Sequence, residues 1–129
     1  MKILIIDDSQ SWVEFHKNIL EEIYIMEENI LHTAFSARQA LDTLYQNTST
    51  PYDLIITDLQ MEEDFSPLFA GEWIIEQIKN LTSFNKSRII ISSGAYNIKH
   101  IANSFNVEYI PKRIACTDRL EYERIILNG

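Results

Sequence analysis

Short apolar runs alternate with longer amphipathic stretches along the chain. The short runs are rich in isoleucine and too brief for helices, which is typical of parallel strands that are buried on both faces. They predict five strands, at residues 2–6, 30–34, 53–57, 88–92 and 107–110.

The longer stretches place apolar residues at helical spacing. Four of these stretches are regular, and a fifth, at about 117–127, is less so. Five strands that alternate with five helices predict a doubly wound α/β sheet with right-handed crossovers. The positions that define the four regular helices are Trp12, Phe15, Ile19, Leu20 and Ile23; Ala37, Ala40, Leu41 and Leu44; Ile74, Ile78 and Leu81; and Ile98, Ile101, Ala102 and Phe105.

Composition and charge narrow the class of protein. The 129 residues are 46% hydrophobic and carry a net charge of −8, which predicts a single globular domain over residues 1–129. The acidic total opposes direct binding to nucleic acid. The lone Cys116 cannot form an internal disulfide, and the apolar run at 3–6 is too short for a signal peptide. We therefore expect a cytoplasmic protein that does not insert into a membrane.

Polar side chains follow four of the predicted strands. Because ligands bind outside the carboxyl ends of parallel strands, these side chains are expected to meet at one edge of the sheet. A single acid after a strand is more often the N-cap of the next helix, but the coincidence across four strands favours a site. The residues are Asp7, Asp8, Asp58, Ser92, Ser93 and Lys112.

Three carboxylates at one edge repel one another, by about 4 kcal/mol for each pair at 4 Å and an effective dielectric near 20. A cation is therefore expected among them. Since no histidine or cysteine cluster accompanies the acids, a hard, oxygen-binding ion is favoured, Mg²⁺ or Mn²⁺. An amine and a hydroxyl beside the ion would complete a site for a phosphoryl group.

Five sequence fragments together resemble the receiver domain of two-component response regulators, over about residues 1–127. They are ILIIDDS, AFSARQAL, YDLIITDLQM, IIISSGA and YIPK. The resemblance implies a flavodoxin-like sheet of strand order 2-1-3-4-5 with five helices. It implies a stand-alone signalling domain, not an enzyme, that receives a phosphoryl group from a sensor histidine kinase or histidine phosphotransfer protein. A downstream protein target would then read the change.

The resemblance also assigns roles to individual residues. Asp58 would be the phosphoacceptor. Asp8 and Asp58 would bind Mg²⁺ directly, together with the main-chain carbonyl of Gln60, and Asp7 would act through water.

Three further residues would respond to the phosphoryl group. Ser93, which precedes the small residue Gly94, would hydrogen-bond one phosphoryl oxygen, and Lys112 would pair with another. Tyr109 takes the position of the family's aromatic switch, although a half-buried strand tyrosine is an equally good interpretation.

The sequence departs from the family pattern in three places. Glu62 replaces the proline that usually follows the methionine, here Met61. Arg113 replaces the proline that usually follows the lysine, and a non-proline cis bond costs about 2.5–4 kcal/mol, so a trans bond is expected at 112–113. Nine residues separate Met61 from Gly71, where the family typically has four. This insertion, with an acidic first half, is expected to be either a partly ordered flap over the site or an inert loop.

Two other classes of function remain open. A degenerate receiver would bind partners without being phosphorylated, but it would normally lack one of the acids or the lysine. A Mg²⁺-dependent phosphatase of the haloacid dehalogenase type would need an acid two residues after its nucleophile, and here Ser9 follows the adjacent pair Asp7 and Asp8. Dinucleotide binding is disfavoured because the first turn has no glycine.

The remaining aromatic and histidine side chains are expected to pack or to lie at the surface, without binding a ligand. They are Trp12, Trp73, His16, His32 and His100.

Overall fold

The computed structural model describes residues 1–61 and 70–128. The strands form one parallel sheet of order β2-β1-β3-β4-β5, which confirms the predicted architecture. The five predicted strands are confirmed to within one residue at each end. They are β1 (Lys2–Ile6), β2 (Ile30–Ala34), β3 (Leu54–Thr57), β4 (Arg88–Ser93) and β5 (Glu108–Pro111).

Six α-helices and one short 3-10 helix (Thr82–Phe84) lie within the described residues. The insertion expected at 62–70 falls almost wholly outside them. The α-helices are α1 (Gln10–Ile23), α2 (Ala37–Gln46), α3 (Ala70–Asn80), α4 (Ile98–Phe105), α5 (Lys112–Thr117) and α6 (Arg119–Leu127).

The five predicted helices are confirmed as α1, α2, α3, α4 and α6, and α6 begins within two residues of the helix predicted at about 117–127. The short helix α5 was not predicted. It is separated from α6 at Asp118, whose backbone leaves the helical conformation (φ −133°, ψ 84°). The Asp118 N–H donates to the Ile114 carbonyl at the end of α5, and its side chain accepts from the Glu121 N–H at the start of α6. One residue thus ends one helix and caps the next.

The sheet separates two apolar cores, because successive strand side chains point to opposite faces. Leu4 and Ile6 pack with α2, α3 and α4 in what we call the α2-side core. Ile3 and Ile5 pack with α1, α5 and α6 in the α1-side core. The strands therefore need apolar side chains on both faces, which explains why polar and apolar residues do not alternate along them.

The strand register gathers the polar residues at one edge. Ile6 pairs with Thr57, and Ser93 at the end of β4 pairs with Pro111. Asp7, Asp58 and Lys112 each follow the last residue of a strand and so emerge together. Every peptide bond in residues 1–61 and 70–128 is trans, which confirms the trans bond expected at 112–113. No helix in these residues has the length and apolar character needed to cross a membrane.

The start of α3 lies against the backbone that follows β3. The Gly71 N–H donates to the Leu59 carbonyl at 3.2 Å. A Cβ on Gly71 would lie 2.3 Å from the Asp58 carbonyl oxygen and 2.4 Å from Leu59 Cα. Only glycine permits this approach, so Gly71 fixes α3 directly behind Asp58.

We expect Gly71→Ala to lower the free energy of unfolding by about 2 kcal/mol, since the added methyl must displace backbone rather than a flexible side chain. The better helix propensity of alanine, about 1 kcal/mol at most, does not offset this. Urea denaturation followed by circular dichroism measures the difference. Gly94→Ala is the control, because its Cβ would meet no atom within 4 Å; equal losses in the two variants would contradict the account.

Candidate functional site

Three carboxylates lie together at the carboxyl edge of the sheet. One oxygen from each of Asp7, Asp8 and Asp58 lies within 4.8 Å of the others. Asp7 is 2% exposed and Asp58 5% exposed, while Asp8 lies at the more accessible side of the cluster. Buried like charges at this spacing require compensation by a cation or by protonation.

The Asp58 carboxylate is oriented from two directions. Its Oδ1 accepts hydrogen bonds from the Leu59 N–H at 2.7 Å and the Gln60 N–H at 3.3 Å. Its Oδ2 accepts from the Lys112 ammonium at 2.8 Å. The backbone turn after β3 therefore fixes one oxygen, and a side chain from beyond β5 fixes the other.

Lys112 joins the two buried acids. Its Nζ lies 2.8 Å from Asp58 Oδ2 and 2.9 Å from Asp7 Oδ2, and its side chain is 15% exposed. Burial acts to lower the pKa of Lys112, but the hydrogen bonds to Asp58 and Asp7 outweigh it and raise the pKa above its ordinary value. The amine is therefore a permanent ammonium ion in this site.

Asp7 differs from an ordinary surface carboxylate. Burial raises its pKa to about 6, against the opposing effect of hydrogen bonds from Lys112 and from the Ser9 N–H. The neighbouring charge of Asp58 acts in the same direction as burial. The surroundings of Asp7 thus disfavour its charged form.

Both serines at the end of β4 are buried, but they differ in their contacts. The Ser93 Oγ accepts from the Ala95 N–H at 3.1 Å, whereas the Ser92 Oγ has no hydrogen-bond partner among the described residues. Ser93 and Lys112 line a common cavity of about 310 Å³. The predicted hydroxyl and the predicted lysine therefore share one opening at this edge.

Tyr109 and Gln60 occupy the positions that the sequence indicates, on β5 and after β3. The Tyr109 ring is half-buried and packs against the α2-side core. Nothing in these contacts tests a switching role for Tyr109 or a metal-binding role for the Gln60 carbonyl. Both roles stay predictions.

Trp12, which was expected from the sequence only to pack, lies beside Lys112. The Lys112 Nζ lies 4.9 Å from the centre of the Trp12 ring. Trp12 contacts Phe15 and His16, and the His16 Nδ1 is 2.8 Å from the Tyr122 hydroxyl. Burial lowers the pKa of His16 to about 3, so this ring is neutral. A helical position one turn after the acidic pair is the sequence signal that could have placed Trp12 at the site.

The arrangement can bind a divalent ion and an anionic group together. The three carboxylates form an all-oxygen donor set, which fits Mg²⁺ and Mn²⁺. Lys112 presents a fixed positive charge on the same oxygens. A buried carboxylate nucleophile, a metal ion and an ammonium group are the elements that phosphoryl transfer to an acid requires.

The chain matches the family model described as the response regulator receiver domain over residues 3–120. No curated protein matches it in sequence. Among solved structures, a response regulator receiver domain protein from Clostridium thermocellum is 27% identical to this chain. The two superpose with a TM-score of 0.75, over 98% of this chain and 91% of that chain.

Two more distant structures have the same fold. The signal receiver domain of a DNA-binding response regulator from Colwellia psychrerythraea is 21% identical, with a TM-score of 0.76 over 98% of this chain and 94% of that chain. The Vibrio cholerae chemotaxis protein CheY4 is 19% identical, with a TM-score of 0.66 over 86% of this chain and 85% of that chain.

We expect Lys112→Met to lower the free energy of unfolding by about 3 kcal/mol in the absence of divalent ions, because it leaves two buried carboxylates without their cation. Adding Asp7→Asn should recover part of that loss, since one of the two charges is removed. Urea denaturation at pH 7.5 of the two single variants and the double variant gives the coupling.

Lys86→Met is the matched control, because Lys86 is exposed; it should change stability by no more than about 0.5 kcal/mol. A loss in Lys112→Met no larger than in this control, or strictly additive effects with Asp7→Asn, would show that the ion pairs do not stabilise the site.

Proposed function

The chain belongs to the response regulator receiver domain family, and on that premise we propose that it accepts a phosphoryl group on Asp58 in a Mg²⁺-dependent phosphorelay. Aspartyl phosphorylation and Mg²⁺ binding are general properties of the family, which serves two-component signalling. The observation that carries the proposal for this chain is the Lys112 ammonium, which bridges Asp58 and Asp7 inside a cluster of three carboxylates.

In the proposed reaction an Asp58 carboxylate oxygen forms a bond to phosphorus. The bond from phosphorus to the histidine nitrogen of the donor protein breaks, and that nitrogen keeps the electron pair. The Leu59 and Gln60 N–H groups hold the acid in one orientation before the reaction. Because the phosphoryl group is then held on the chain's own Asp58, the chain acts as a signalling domain rather than as an enzyme with turnover.

The metal ion would be bound by Asp8 and Asp58 directly and by the main-chain carbonyl of Gln60, with Asp7 acting through water. Mg²⁺ would neutralise charge that develops on the phosphoryl oxygens. The all-oxygen donor set supports this ion over a softer one.

Lys112 and Ser93 would recognise the phosphoryl group. Lys112 would pair with one phosphoryl oxygen and the Ser93 hydroxyl with another, and their shared cavity supports this assignment. The movement of Ser93 would be accompanied by rotation of the half-buried Tyr109 ring. A surface formed by α4, β5 and α6 would then bind its protein target differently.

The proposed partners are a sensor histidine kinase or a histidine phosphotransfer protein, and a downstream protein target; receiver domains interact with such kinases and effectors. Direct binding of nucleic acid is not part of the proposal, because the net charge is −8. We place the reaction in the cytoplasm, since Cys116 is a free thiol and a reducing compartment suits it. A single domain over residues 1–129 stays a prediction.

Wild-type protein incubated with acetyl phosphate and Mg²⁺ is expected to gain the mass of one phosphate, and Asp58→Asn is expected to gain none. Asp42→Asn, at an exposed position on α2, should be labelled like the wild type. Intact-mass spectrometry measures all three. Equal labelling of wild type and Asp58→Asn would show that another residue is the acceptor. If none of the three proteins is labelled, a degenerate receiver is favoured.

Mg²⁺ binding is expected to weaken by about tenfold or more in Asp8→Asn and Asp58→Asn, and less in Asp7→Asn, because direct ligands contribute more than a water-mediated one. Titration with Mg²⁺ followed by amide NMR shifts gives the dissociation constants. Asp42→Asn again serves as the control. Undiminished binding in Asp8→Asn would show that the proposed metal ligands are wrong.

A further inference from the structure

The ammonium group of Lys112 has two different kinds of partner. On one side are the carboxylates of Asp7 and Asp58, at 2.9 and 2.8 Å. On the other side is the face of the Trp12 indole, whose centre is 4.9 Å from Nζ. A cation over an indole face is attracted by the ring quadrupole, more strongly where water is excluded.

The indole ring is itself held in place by other rings. The Trp12 main-chain N–H donates to the Ser9 side chain, which caps α1. The indole ring packs edge-on against the Phe15 ring, with 5.1 Å between the ring centres. Phe15 in turn packs edge-on against Tyr122 of α6 at 6.1 Å. Trp12 is therefore the half-buried end of an aromatic row that extends from α1 to α6.

The Lys112 side chain extends from the first residue of α5, a helix of six residues. Four methylene groups separate its backbone from its charge, so its orientation depends on the groups around Nζ. Of those groups, both carboxylates change in the proposed reaction, since Asp58 becomes an acyl phosphate and both acids lie at the metal site. The indole does not change.

We infer that Trp12 is a positioning residue for Lys112, an inference that rests on the proposed function. Its ring face keeps the ammonium directed at the acceptor while the charges on Asp58 and Asp7 are altered. Lys112 then meets the incoming phosphoryl oxygens without first having to be reoriented. The residue needed at position 12 is an aromatic ring, not merely an apolar side chain.

The contact itself is tested without phosphorylation, by NMR on the metal-free protein. The Lys112 Hε protons should be shifted upfield by the indole ring current in the wild type and should return toward ordinary values in Trp12→Leu. The ammonium ¹⁵N signal should be visible in the wild type and in Trp12→Phe, because the ring excludes water, and should broaden in Trp12→Leu.

The functional effect is tested by the rate of phosphorylation with acetyl phosphate at saturating Mg²⁺. Trp12→Leu should slow it by about threefold to tenfold, the range expected for a partly desolvated cation–π contact, with Mg²⁺ affinity unchanged. Trp12→Phe should retain the rate to within about twofold. Trp73→Leu is the matched control, since Trp73 packs against the α2-side core on the opposite face of the sheet, and should not slow the reaction.

Rescue by phenylalanine separates positioning from packing. Equal rates in Trp12→Leu and wild type, or an equal loss in Trp12→Leu and Trp12→Phe, would overturn the inference. If thermal unfolding shows that Trp12→Leu does not fold, Trp12→Met is used in its place. If the wild type is not phosphorylated at all, the proposed function fails, whereas an absent ring-current shift overturns the Trp12 inference alone.

Discussion

The ion pairs of Lys112 with Asp7 and Asp58 make the rest of the site possible. Each pair of carboxylates at about 4 Å costs roughly 4 kcal/mol when the effective dielectric is near 20, and burial adds a desolvation penalty for each charge. A cation fixed between the acids offsets both contributions. The parallel sheet satisfies this constraint because β1, β3 and β5 end at the same edge.

Much of the fold follows from local sequence properties. Strands buried on both faces need continuous apolar runs, so the isoleucine-rich runs located them to within one residue. Helix α5 was not predicted, because its six residues are too few to show a helical period. The Asp118 hydrogen bonds that separate it from α6 are seen only in the structure.

The position of the acids and the lysine at one edge of the sheet was predictable, because they follow the ends of strands. The contact between Lys112 and Trp12 was not, since it joins residues 100 positions apart and depends on how α1 sits over the ends of β1 and β5. Sequence periodicity places Trp12 on the buried face of α1 but does not say what lies against it. Contacts between elements of this kind need the packed structure.

The site and its predicted switch belong to opposite faces of the sheet. Trp12 packs with the α1-side core, whereas Tyr109 packs with the α2-side core. Ser93, two residues after Ile91 on β4, shares the face of the α2-side core by strand alternation. A signal from Asp58 to Tyr109 would therefore run by way of Ser93 at the end of β4, which shares a cavity with Lys112.

The close approach at Gly71 bears on how the loop before it can vary in length. Nine residues separate Met61 from Gly71, yet the helix they lead into touches the Asp58 carbonyl so closely that a Cβ would not fit. The attachment point of α3 is thus set by the contact at Gly71. An insertion before Gly71 that kept this contact would leave the acceptor in place, whereas a side chain at position 71 would displace it.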